Sequence, residues 1–348
     1  MKASKVLSLV LLLTFAAGMV TPIASAETPE IFTVFPTTDG QPFRICAESP
    51  QVIWYTLPDQ NALGRLSLVQ ESASIENFVL PTTSSQPYDI ACAGGRVWVT
   101  ERAGNKIAMF DPAKTAWSEY DIPTPASEPT GIEVQPGEPT QVWFVERTGN
   151  KIGRLTVPAV GQATLTEYES PIAGMLFEDI SLAGPGTVWF TAPGAQRIGR
   201  LNANLWPSDT AYASEFTGPN SQPWKLVVDP SGYPWFTERT GNRIGQFQPG
   251  TLTNLRWVAL PNAGSDPYAI DIWNGGAWFT EAGGQRVGRV DRTTYSLREL
   301  VAQGAMFTGI DFSNNGCAWL SDNALQRIVR WCPPYFRMIY LPLIRLNS

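Results

Sequence analysis

The chain has 348 residues, 43% of them hydrophobic and 16% charged, with a net charge of −6. Nucleic-acid binding asks for a basic stripe that neutralises phosphates, and this mildly acidic, charge-poor sequence has none. Four cysteines in 348 residues leave room for at most two disulfides.

The first element is a leader. Lys2 and Lys5 precede an apolar run from Val6 to Val20, and small residues at Ala24–Ala26 follow at the spacing a signal peptidase reads. The apolar core is too short for a membrane span and lacks a stop-transfer flank, so residues 1–26 are expected to be a secretory signal peptide. The mature chain is then expected to begin at Glu27 with a charge of about −8 and to be a secreted or extracellular monomer. Beyond the leader, short β-branched runs alternate with Gly and Pro, and no amphipathic segment of helical period occurs. Many short strands follow from that pattern.

The strands repeat. "VWFVERTGNKIGRL" (Val142–Leu155) returns as "PWFTERTGNRIGQF" (Pro234–Phe247), and weaker copies put the leading tryptophan at 54, 98, 143, 189, 235, 278 and 319. The spacings of 44, 45, 46, 46, 43 and 41 residues match a β-propeller blade of four strands. An inner strand opens each unit, as in "QPYDI" (86–90), "QPWKL" (222–226) and "DPYAI" (266–270); the Trp strand, a tight turn and the "KIGR" strand follow. A fourth strand reads "SEYDIP" (118–123) or "TEYESP" (166–171), and only the seventh unit lacks one. "EIFTVFP" (30–36) resembles it, so residues 31–35 are expected to become the outermost strand of the blade holding Trp319. The prediction is an all-β, seven-bladed propeller over 27–332, its ring closed by the N-terminal strand, with an apolar tail at 333–348. The tail either packs on the propeller or acts as a sorting or attachment signal; it is too short to cross a bilayer.

The repeated phrase reads as shape rather than chemistry. An acid three residues after the Trp faces a base eight after it: Glu101–Lys106, Glu146–Lys151, Glu238–Arg243, Glu281–Arg286 and Asp322–Arg327. Such cross-strand pairs are worth roughly 0.2–1 kcal/mol, and Gly149-Asn150 and Gly241-Asn242 suit the turn between them. Hairpin partners thus have offsets from the Trp that sum to eleven, which places Cys317 opposite Cys332 within disulfide reach. Cys46 and Cys92 lie at positions of opposite parity on neighbouring inner strands, so they point either toward each other or both away.

From about residue 30 to 331, the "WFTE…NKIGR" phrase, the "P-x-x-I" inner strands and the seven units resemble the virginiamycin B lyase family. The resemblance implies a magnesium-assisted elimination with a histidine base. This chain departs from it. Phe43 stands at the family's first-blade tyrosine, Tyr268 at its sixth-blade histidine, and Met306, Phe307, Thr308, Gly309 and Ile310 at its seventh-blade "E-P-H-G-I". With no histidine anywhere in the sequence, neither the base nor the magnesium ligands are matched, and no cofactor and no catalytic residue is expected. The runner-up is an enzyme, either a carbon–oxygen lyase of the family's type or a metal-dependent lactonase-like propeller. The latter would use carboxylates among Asp89, Glu178, Asp179, Asp271 and Asp311, which otherwise pair with Arg44 and Lys225.

A binding or scaffold module remains as the main expectation. The residues one after the inner-strand Pro position are Phe43, Tyr88, Thr130, Glu178, Trp224, Tyr268 and Thr308. If they ring the channel mouth, they suit a small molecule, glycan or peptide centred on Trp224 and Tyr268 with Glu178 beside them. The same aromatics would equally serve as a plug.

Overall fold

The computed structural model describes residues 32–37, 39–70, 72–247 and 255–332. The expected leader and the 333–348 tail lie outside the described residues. The strands form seven four-stranded antiparallel sheets, a seven-bladed β-propeller. Six sheets take their strands in chain order. The seventh consists of Phe307–Phe312, Ala318–Asp322, Arg327–Trp331 and then Phe32–Pro36. Phe32 faces Trp331 and Pro36 faces Arg327, so the N-terminal strand closes the ring and covers what would be an open sheet edge.

Each repeat tryptophan is at most 8% exposed and packs into the interface with the following blade. Trp54 lies with Ile90, Val97 and Val99; Trp143 with Ile180, Val188 and Phe190; and Trp319, across the seam, with Ile45, Ile53 and Tyr55. Truncating a buried aromatic side chain generally costs about 3–5 kcal/mol, so these rings are the main apolar bond between blades. The hydroxyl two residues after the Trp adds a polar one. Thr56 donates to Tyr88 O, Thr100 to Thr130 O, Thr237 to Tyr268 O and Ser321 to Phe43 O; the first three carbonyls lie on the next blade's inner strand and Phe43 just before it.

The rest of the phrase is equally structural. The residue after the Trp faces a glycine on the third strand: Tyr55–Gly64, Phe144–Gly153, Phe190–Gly199, Phe236–Gly245 and Phe279–Gly288. A Cβ on any of these glycines would collide with the facing ring. Where that residue is aliphatic the glycine disappears, as in Val99–Ala108 and Leu320–Val329. The turn asparagines take a left-handed conformation, with φ of 55° at Asn105, 58° at Asn150 and 53° at Asn242. Their side chains also pin the loop that leads into the next inner strand. Asn105 accepts from Ser127 N at 2.7 Å and donates to Thr124 O at 3.0 Å, and Asn242 accepts from Ser265 N at 2.9 Å.

The acid–base register is as expected, but its ion pairs are not uniform. Arg243–Glu238 at 3.1 Å and Arg327–Asp322 at 2.7 Å close across the turn, and Arg286 stands 4.0 Å from Glu281. Lys106 and Lys151 turn instead to Glu119 at 2.9 Å and Glu167 at 2.8 Å on the fourth strand. Those partners are more exposed than the fully buried Glu101 and Glu146, so the lysine keeps more of its hydration. Burial leaves Glu101 raised to about 7 and Glu146 to about 8. Both disulfides form. Cys317–Cys332 spans the expected hairpin with a Cα separation of 4.2 Å, and Cys46–Cys92 joins the first and second inner strands at 6.1 Å. The second pair therefore points inward, toward each other.

Candidate functional site

The start of each inner strand lies beside the end of the Trp strand, as in Pro87 opposite Glu101, Pro223 opposite Glu238 and Pro267 opposite Glu281. The residue after the Pro and the arginine after the Glu therefore share one mouth of the channel. Strict strand alternation would turn only every second side chain inward. In five blades the register slips here, between Pro87 and Ile90, Pro129 and Ile132, Pro223 and Leu226, Pro267 and Ile270, and Phe307 and Gly309. A bulge re-aims the chain. Tyr88 and Trp224 serve the mouth, while the adjacent Asp89 and Lys225 line the channel beneath it.

Four of the seven sequence-predicted ring residues come together. Phe43 and Tyr88 have ring centres 5.2 Å apart, Phe43 and Tyr268 6.3 Å, and Trp224 and Tyr268 5.9 Å. Beneath them lies Arg44, only 2% exposed. Its guanidinium carbon is 4.5 Å from the centre of Phe43, 4.9 Å from Tyr268 and 5.5 Å from Tyr88. The Nη1 group donates to Thr308 O at 2.8 Å. A buried cation under several ring faces is held strongly, so Arg44 and the rings together close the centre of the mouth.

Glu178 joins this group from the fourth blade. Tyr88 Oη donates to one of its oxygens, and Arg147 Nη1 donates to the other at 2.7 Å. Burial pushes the Glu178 carboxyl up to about 7, against the pull of Arg44. Thr130 and Thr308 do not face the mouth surface. Both are buried, and their hydroxyls donate between blades, to Phe177 O at 3.1 Å and Phe43 O at 2.7 Å.

Three arginines complete the rim. Arg102, Arg147 and Arg239 stand four residues after Trp98, Trp143 and Trp235, in the "ER" of the phrase. Arg102 lies 5.3 Å over Tyr88, and Arg239 lies 4.6 Å over Trp224 and 4.8 Å over Tyr268. Arg239 is fixed by two bonds to Asp266, at 2.6 and 2.8 Å, and Arg102 by Glu128 at 3.0 Å. The signal for these residues was present in the sequence. The Glu recurs in the repeat, whereas an arginine follows it in three blades only, and a position that varies within a repeat is free to serve one mouth.

Below Arg44 the channel encloses about 240 Å³. Lys225 Nζ bridges Asp89 at 2.7 Å and Asp179 at 2.6 Å. Carboxylates also tie inner strands together: the second oxygen of Asp179 accepts from Leu226 N, Asp271 from Phe312 N and Asp311 from Ala47 N, at 2.7, 3.0 and 2.7 Å. A divalent cation wants several free, converging oxygens. Here the oxygens already serve amides and a lysine, and among the described residues no group of three or more acids or thiols is placed to hold a metal. These residues do not fit a magnesium ion.

A family model described as the virginiamycin B lyase family matches residues 15–205 and 141–333. The chain belongs to the virginiamycin B lyase family. Within the virginiamycin B lyase family, the enzyme of Nocardia farcinica is 27% identical over 243 residues, covering 70% of this chain and 77% of that protein. Among solved structures, a streptogramin B lyase superposes with a TM-score of 0.75 at 26% identity, covering 86% of this chain and 97% of that one. A catalytically inactive virginiamycin B lyase from Staphylococcus aureus with quinupristin gives 0.76 at 25% identity, covering 87% and 99%. Among the described residues no helix is long and apolar enough to cross a membrane.

Proposed function

We propose that this virginiamycin B lyase family member is an exported, non-catalytic binding or scaffold module that takes its ligand at the aromatic and arginine-lined mouth. One observation carries the reading: the positions that the resemblance assigns to the family's histidines hold Tyr268 and Thr308, and both are in structural use. Tyr268 covers Arg44 at 4.9 Å, and the Thr308 hydroxyl joins the seventh blade to the first. An elimination needs a base near neutral pH and stabilisation of the developing enolate, and neither residue type supplies the former.

One feature favours retained acid–base chemistry, namely Glu178 at about 7. Its two oxygens are taken by Tyr88 and Arg147 and it is 1% exposed, so we assign it to fixing the mouth. The purified protein is expected to leave a streptogramin B such as quinupristin uncleaved, with or without magnesium. Ring opening above the buffer rate that is abolished by Tyr268→Phe would overturn this assignment.

Export is supported by the leader-like N-terminus and by two disulfides, which persist in oxidising compartments. Protein recovered from the medium should begin at Glu27 and yield Cys46–Cys92 and Cys317–Cys332 peptides on non-reducing mapping. Retention in the cytoplasm with free thiols would count against it.

A further inference from the structure

The mouth has a second, shallower part. Where the seventh, first and second blades meet, Phe43 and Tyr88 turn toward a groove of about 290 Å³. The amides of Gln41, Gln86 and Asn323 line it, and Asp59 and Arg102 add one charge of each sign. Its volume lies just below the usual range of small-molecule sites, roughly 300–1,000 Å³, which suits a ligand of about one or two sugar rings. We propose that this groove binds a neutral saccharide.

The chemistry of the lining selects the ligand. An amide both donates and accepts hydrogen bonds, a carboxylate only accepts and a guanidinium only donates. Three amides, one carboxylate and one guanidinium therefore match a ligand whose groups each donate and accept, as hydroxyls do. An anion would have to face Asp59, and a cation would have to face Arg102. Among the described residues the side-chain amides of Gln41, Gln86 and Asn323 make no hydrogen bond, and Gln41 and Gln86 are exposed. Asp59 is held in place by the backbone N–H of Gln41, at 3.1 Å from its nearer oxygen. The half-buried rings of Phe43 and Tyr88, packed against each other and against Arg44, leave apolar edges for the C–H side of a sugar, beside the guanidinium of Arg102 that lies over Tyr88. An extended peptide also donates and accepts, but it binds along a sheet edge or a long groove, and this pocket is compact.

The inference rests on the reading of the mouth as a ligand site, and its test separates the two. Full-length exported protein is applied to an array of neutral glycans, and hits are titrated calorimetrically against wild type, Gln86→Gly and Asn323→Ala. Glycine suits the φ of 53° at Gln86, so that variant removes the amide without straining the turn. At least one neutral saccharide is expected to bind, with affinity reduced at least tenfold in both variants at unchanged melting temperature; Lys114→Ala, on a distant exposed hairpin, should bind as wild type does. Absence of any glycan binding, or equal binding by both variants, overturns the proposal. If glycans fail while a peptide or small aromatic compound binds wild type and not Trp224→Ala, the saccharide falls and the mouth as a ligand site stands.

Discussion

Deleting residues 27–36 is expected to lower the melting temperature by more than about 10 °C, or to abolish folding. The strand Phe32–Pro36 is the fourth strand of the seventh blade. Phe35 is buried and stacks on Trp319 with ring centres 5.8 Å apart, and Phe32 stacks on Trp331 at 6.1 Å. Thr37 continues the seam by donating to Gln326 O at 2.7 Å. Losing a buried phenylalanine alone costs about 3–5 kcal/mol, and each kcal/mol moves the melting temperature of a large domain by roughly 2–4 °C. The deletion also exposes the edge of Arg327–Trp331. Phe35→Ala, which keeps the backbone ladder, should lose less than the deletion. A deletion mutant that melts with wild type would mean that another segment, such as the 333–348 tail, seals the ring.

The second large effect is an inverted pH profile. Stability should be greatest near pH 5 and fall toward pH 8. Burial raises the carboxyls of Glu101, Glu133, Glu178 and Glu281 to about 7 and that of Glu146 to about 8. In the unfolded chain these groups ionise above about pH 4. A group whose folded pKa is raised contributes fully below its unfolded pKa, and that contribution is lost as pH rises through the window from about 4 to 7–8. One such carboxyl costs at most about 3 kcal/mol once the window is passed, and less where solvent screens it, as at Glu101 and Glu281. Carboxyls lowered by pairing, Glu119 with Lys106 and Glu167 with Lys151, act oppositely and lose their contribution only as pH falls below about 4, which sets the acid limb. Glu146 isolates the effect, since among the described residues no donor reaches either of its buried oxygens. Glu146→Gln should therefore raise the melting temperature at pH 8 and leave it nearly unchanged at pH 5. A profile that rises from pH 5 to 8, or a variant less stable at both, would contradict the account.

The architecture was legible because each unit checks the others. A tryptophan period in the forties, one missing fourth strand and one spare N-terminal strand together defined the ring, and the offset rule put Cys317 opposite Cys332. The mouth was less legible, because its features occur once or break the rule. Alternation failed at the bulge after the inner-strand Pro, so sequence parity could not aim Tyr88 and Asp89; for Cys46 and Cys92 parity fixed only that both point between the blades or both away, because it carries no absolute direction. Lys106 and Lys151 left their expected partners because a lysine chooses between two carboxylates by hydration, which spacing does not encode. Thr130 and Thr308 had the right position for the ring, yet a small hydroxyl beside a neighbouring carbonyl is drawn into the blade interface.

The aromatic–glycine pairing on the second and third strands bears on how such a chain changes over generations. At five blades neither partner can be altered alone without harm: a side chain on the glycine meets the ring, and shrinking the ring leaves a void. Intermediates between the two pairings are thus expected to be destabilised, so the pair should change as a unit. The second and seventh blades, with Val99–Ala108 and Leu320–Val329, carry the alternative solution, a smaller residue facing a larger one. Grafting the Val99 and Ala108 combination onto another blade as a double exchange should be far better tolerated than introducing the alanine by itself, and the order of mutational steps, rather than the final sequence, would be what limits divergence between blades.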